Sequence, residues 1–157
     1  MIILRRVVFA LALAALLASP ALAERILRQA ASQVVYVPVY SHVYQGIKNR
    51  PYNLSALLSI RNVDQKLPIT VVSVKYFNDH GDLVKEYLDK PVTIPPLGTS
   101  EVHIPERDKK GGSGANFTVK WKSDKKVTIP IIQAVMIGTA STQGISFVCD
   151  GVVIEED

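Results

Sequence analysis

Residues 34–44 alternate without a break, with Val35, Val37, Val39 and Val43 on one side and Tyr36, Pro38, Tyr40, His42 and Tyr44 on the other. A period of two is the signature of a half-buried β-strand, because successive side chains leave the backbone on opposite faces. Leu54, Ala56, Leu58 and Ile60 repeat the pattern up to the polar pair Arg61-Asn62. Residues 69–78 place Val72, Val74 and Tyr76 on one face and lead through Asn78-Asp79-His80-Gly81 into residues 83–88, a hairpin with a glycine-containing loop. Residues 99–104 predict a short strand with Val102 and Ile104 facing one way. Phe117, Val119 and Trp121 then alternate with Thr118, Lys120 and Lys122. Residues 131–139 and 145–148 are apolar runs, and Asp150-Gly151 predicts a two-residue turn into residues 152–154. No stretch beyond the first 23 residues keeps a helical period.

Eight or nine short strands separated by turn residues predict an all-β fold, an antiparallel β-sandwich of immunoglobulin-like type, with a small closed barrel as the alternative. The expected organisation is a polar lead over residues 24–33 and one domain over residues 34–157. The one linker-like stretch, residues 111–114, reads as a flexible connection. Pro38 marks the first strand as an edge, since proline has no N–H to give a ladder.

Composition changes this picture mainly at the N-terminus. The chain has 157 residues, 48% of them hydrophobic and 20% charged. Much of that hydrophobicity lies in residues 1–23, which have the build of a secretory signal: Arg5-Arg6, an unbroken apolar run over residues 7–17, and Ala21-Leu22-Ala23 ahead of Glu24. The run is well short of the ~20 residues that span a bilayer. The expected product is therefore cleaved, periplasmic or secreted, without a stable membrane anchor. Cleavage removes two of the 18 basic residues and none of the 14 acidic ones, halving the formal net charge of +4. A nearly neutral exported chain is a poor candidate for nucleic acid, which selects a far larger basic excess. Cys149 is the single cysteine. In an oxidising compartment it reads either as a small packed residue or as a thiol able to link two chains into a dimer.

The segments Val35-Tyr36-Val37-Pro38-Val39-Tyr40-Ser41-His42, Leu58-Ser59-Ile60-Arg61-Asn62, Glu86-Tyr87-Leu88, Gly111-Gly112-Ser113-Gly114-Ala115-Asn116-Phe117, Trp121, Met136-Ile137-Gly138-Thr139 and Gln143-Gly144-Ile145-Ser146-Phe147 together resemble a family of small exported bacterial proteins catalogued as a domain of unknown function. The resemblance spans nearly the whole mature chain. It implies an exported bacterial domain and carries over no activity and no catalytic residue; Cys149 is not among its expected features.

Few patterns point to chemistry. Ser113 in its glycine-rich segment approaches a nucleophile elbow, but a charged loop precedes it and a strand follows, whereas the elbow joins a strand to a helix. A blue-copper set would need His and Met just after Cys149, and neither is present. Residues 78–82 offer oxygens to a calcium ion without the alternating acids and distal glutamate of a calcium loop, and the same residues make good turns. No cofactor and no metal site is expected. Lys109, Lys110, Lys120 and Lys122, with Arg107, Lys125 and Lys126, predict a basic patch that attracts an anionic surface or guards strand edges. The expected binding surface is the row Tyr36, Tyr40, His42 and Tyr44, since clustered aromatic side chains supply much of the energy of recognition. These features predict a non-enzymatic interaction domain with another envelope protein or a surface polymer as partner. The competing expectation is a small enzyme or metal carrier using His42 or His103.

Overall fold

Strict alternation builds the centre of the core. Strand β4 (Ser55–Arg61) buries Ala56, Leu58 and Ile60, β9 (Asn116–Thr128) buries Phe117, Val119 and Trp121, and β8 (Thr99–Ile104) turns Ile104 and, less deeply, Val102 inward. These strands belong to a computed structural model that describes residues 28–140 and 144–157. The predicted signal segment and the first part of the polar lead lie outside the described residues.

Two antiparallel sheets enclose one core. The larger runs β12 (Val152–Glu156), β1 (Gln29–Pro38), β9, β5 (Ile69–Phe77) and β6 (Leu83–Glu86), with β7 (Val92–Ile94) pairing the other half of β5 beside β6. The smaller runs β11 (Ile145–Asp150), β10 (Ile131–Gly138), β4 and β8. Trp121, Tyr76 and Phe117 are the largest side chains packed between the layers. The protein is an antiparallel β-sandwich with no helix among the described residues. A further hairpin, β2 (His42–Gln45) with β3 (Arg50–Asn53), belongs to neither sheet.

Several sequence expectations are corrected here. The strand read over residues 34–44 begins earlier, at Gln29, and is two strands, β1 and β2. The alternation nevertheless holds across the break, since Val35, Val37, Val39 and Ser41 are all buried. Periodicity reports where side chains point, whereas the hydrogen-bonded partner changes between Pro38 and His42. Strand β1 is an interior strand rather than an edge. Pro38 is tolerated because Val39 donates its N–H to the Ala115 carbonyl at 2.9 Å. The imide nitrogen of Pro38 therefore faces the β12 side, where pairing has already ended at Tyr36. In β5, Val72 does not share a face with Val74 and Tyr76. An irregularity between Val71 and Ser73 shifts the inward set from Ile69 and Val71 to Val74 and Tyr76. Asp150-Gly151 joins no hairpin, because β11 pairs β10 in one sheet and β12 pairs β1 in the other. Gly151 is the crossing point: a Cβ there would lie 2.5 Å from Val35 Cγ1 and 2.7 Å from the Ile132 carbonyl oxygen. Residues 111–114 are not a free linker. Gly111 lies against the Tyr76 hydroxyl and Gly112 against the Asp79 carboxylate, and Ser41 and Asp79 donate their N–H groups to the carbonyls of Gly112 and Gly111.

The connections sort to two poles. At the pole reached by the end of β1 lie the β2–β3 hairpin, the β5–β6 turn, the β8–β9 loop and the paired ends of β10 and β11 at Gly138 and Ile145. At the other lie the two ends of the described chain and a polar clamp. Buried Asn62 shares the two hydrogens of Nδ2 among the carbonyls of Leu67 (2.9 Å), Pro95 (3.0 Å) and Ile94 (3.2 Å), and accepts at Oδ1 from the Asp64 N–H (3.0 Å). Asp64 in turn accepts from the N–H groups of Lys66, Leu67 and Thr128, which hold its carboxyl below the ordinary carboxylate range.

Candidate functional surface

The β2–β3 hairpin is held at its base by Tyr52, buried against Gly138, and by the Leu54 N–H donating to the Ser41 carbonyl at 2.9 Å. Gly46 (φ 67°) and Asn49 (φ 49°) make its tip, closed by the Asn49 N–H on the Gly46 carbonyl at 3.1 Å. Both positions need left-handed backbone, which glycine and asparagine adopt most easily. Between them Ile47 is fully exposed, and Lys48 and Arg50 are exposed beside it.

The predicted aromatic row divides at this hairpin. Tyr36, in β1, is half-buried between its register partners Val152 and Thr118. Tyr40 is half-buried with its ring edge-on to Phe147 at 5.6 Å, so it covers the core. His42 and Tyr44 lie on one side of β2 with their rings edge-on at 5.1 Å, and Tyr44 is 60% exposed. Tyr44 is thus the one exposed ring of the row, with half-buried His42 against it and the hairpin tip beyond. Ile47 was missed in the sequence, where residues 45–53 carry no alternation long enough to read. The available signal was Gly46 and Asn49 set between Tyr44 and Pro51.

The remaining candidates stand on separate elements. His42 is on β2, His80 on the β5–β6 turn and His103 on the edge strand β8. His80 Nδ1 meets Asp79 Oδ1 at 2.8 Å on the exposed turn. That turn packs against residues 111–114, yet Ser113 makes no hydrogen bond to the pair. No group of three or more His, Cys, Asp or Glu is placed to hold a metal ion among the described residues. The oxygens of residues 78–82 close the turn itself: Asn78 Oδ1 accepts from the N–H groups of His80 (3.0 Å) and Asp82 (2.9 Å).

The basic residues form two groups rather than one patch. Lys109 and Lys110 line a concavity in the β8–β9 loop, while Lys122 lines another with Lys125, where residues 123–126 bulge out of β9 between its pairings to Ser32 and Ala30. Lys120 is exposed between Val34 and Ser73 on the larger sheet. Cys149 lies on edge strand β11, half-buried and packed against the core. Burial, with the charge of Asp150 beside it, pushes its thiol pKa up.

A family model described as Protein of unknown function (DUF3124) matches residues 32–154. Among solved structures, the crystal structure of Thermotoga maritima 1070 is similar, with a TM-score of 0.47 and 11% identity over 82% of this chain and 97% of that one. No curated protein matches the chain.

Proposed function

Since the chain belongs to DUF3124, a family of proteins of unknown function, its role has to be read from its own surface, and we propose that it is an exported, non-enzymatic binding domain of the bacterial cell envelope. Its partner in this reading is another envelope protein, engaged through the β2–β3 hairpin. One observation carries the reading: a hairpin belonging to neither sheet holds Ile47 fully exposed beside the ring pair His42 and Tyr44.

An isolated two-stranded hairpin is marginally stable on its own. Here Tyr52 and Val43 tie it to the core, so the tip is presented from a fixed base. Burying an exposed isoleucine under a partner is worth roughly 1.5–3 kcal/mol. A tyrosine adds a large apolar ring with a hydroxyl that hydrogen-bonds at the rim.

The test compares partners recovered from the envelope with wild type, Tyr44→Ala and Ile47→Ser, after in vivo crosslinking. The expected result is one crosslinked species that weakens at least about fivefold in both variants, as for central interface residues. Retention of that species by both variants would remove the hairpin from the interface. Fluorescence of the single, buried Trp121 controls for folding.

A further inference from the structure

A second site, independent of the hairpin, lies where the edge strands β6 and β8 approach the loop pole. Lys85, Tyr87, His103, Arg107, Lys109 and Lys110 converge there on one open concavity. Lys85 Nζ sits 4.4 Å above the centre of the Tyr87 ring, which holds the ammonium in place. None of the four cations has a carboxylate within ion-pair distance. Among the described residues the lysine or arginine ion pair is Arg28 with Glu156, and His80 meets Asp79 on the β5–β6 turn. The single acid of the concavity, Asp108, has Oδ1 occupied by the Lys110 N–H at 3.0 Å. Burial and the charge of Asp108 keep the Tyr87 hydroxyl protonated, and therefore a donor.

We propose that this concavity binds a ligand carrying several closely spaced phosphate groups. Four cations against one carboxylate leave an excess of three positive charges at one mouth, more than a single carboxylate neutralises. Adjacent phosphates match that density. Arg107 offers a planar fork to two phosphate oxygens, the lysines act as point charges, Tyr87 adds a hydroxyl and His103 a ring N–H. The sequence places the lysines of this loop in one patch with Lys120 and Lys122. The fold instead gives Lys109 and Lys110 the partners Lys85, Tyr87 and His103, all from elsewhere in the chain.

The test titrates the mature chain with inorganic tripolyphosphate at low ionic strength, where such contacts are least screened, reading affinity by calorimetry and location by amide shifts. Two double variants each remove two positive charges. Lys109→Ala with Lys110→Ala alters the concavity, and Lys125→Ala with Lys126→Ala alters the β9 bulge at the opposite pole. The expected result is binding that shifts amides of residues 85–87 and 107–110 and weakens about tenfold in the first variant, two partly screened contacts at the usual strength. The second variant should stay within about twofold of wild type, as a distant site would. Equal weakening in both variants would mean that net charge alone attracts the anion and would overturn the site, as would tripolyphosphate that moves none of these amides. Displacement of tripolyphosphate by a poly(glycerol phosphate) chain identifies a phosphodiester polymer as the source of the groups; failure to displace identifies a free oligophosphate.

Discussion

Removing the Asn62 side chain should cost the fold more than removing most core methyl groups. The residue is 1% exposed and joins the β4–β5 and β7–β8 connections through three carbonyls and one N–H. Asn62→Ala takes the side-chain partner from the Leu67 and Ile94 carbonyls and the Asp64 N–H, while the Pro95 carbonyl keeps the Gly98 N–H at 2.9 Å. A buried polar group left without a partner costs about 1–3 kcal/mol, and water entering the vacated space at this pole recovers part of the loss. The expected net destabilisation is ~3–5 kcal/mol, a large fraction of the ~5–15 kcal/mol that holds a domain together. At this size it lowers the melting temperature by roughly 10 °C or more. Asn62→Asp separates geometry from charge, since an ionised carboxylate has no hydrogen to give and faces three carbonyl oxygens. Its folded pKa is raised, so its deficit should be smallest below the unfolded carboxylate pKa and grow as pH rises through the folded value. Urea titrations followed by Trp121 fluorescence measure both variants. An Asn62→Ala protein within about 1 kcal/mol of wild type would refute the clamp, because a single hydrogen bond would then account for all of it.

Gly151→Ala should destabilise by about 2–3 kcal/mol, since the new methyl meets Val35 and the fixed Ile132 carbonyl; an unchanged thermal transition would place the sheet crossing elsewhere. The thiol of Cys149, half-buried and with its pKa raised by burial and Asp150, should react with a disulfide reagent more slowly in native than in urea-unfolded protein. A native rate equal to the unfolded one would show the thiol turned outward. Asp64 has a lowered pKa because three backbone N–H groups bond its carboxylate. It therefore supports the fold above the unfolded carboxylate pKa and loses that contribution as pH falls through its folded value. Asp64→Asn should flatten the acid limb of the stability curve below about pH 4, and an unaltered limb would contradict this assignment.

The sandwich was legible where a strand is buried on one face throughout its length, as in β4, β8 and the first half of β9. There the burial of Leu58, Ile104 and Trp121 follows from a count by twos. It was illegible where hydrogen bonding and side-chain direction part company. The valines of β1 point inward whether the strand is central or at an edge, so Pro38 misled by its chemistry. Val72 misled because a local irregularity shifts the inward set. The row of Tyr36, Tyr40, His42 and Tyr44 divides between β1 and the hairpin, and of the four only Tyr44 is exposed, since Phe147 arrives from another strand to pack on Tyr40. Lys85 and Tyr87 belong with Lys109 and Lys110 only through the meeting of two edge strands, which no spacing along the chain reports. Gln33 gave no sequence signal, yet it is buried opposite Trp121, and Gln33 Oε1 and Trp121 Nε1 are both buried without partners.

The pairing of β1 with β12 has a mechanical consequence. The strands are antiparallel neighbours, and Arg28 near the start of one bonds Glu156 near the end of the other. A pull applied to the two ends of the folded domain therefore acts across the ladder, at its last rung. The hydrogen bonds from Gln33 to Tyr36 are stressed one after another, as in a zipper. They do not share the force as they would if the strands were drawn along their lengths. The domain should open at low force from that corner, with the loop pole the last region to feel it. Single-molecule stretching by the termini, compared with pulling between residues 47 and 157, would measure the difference between the two directions.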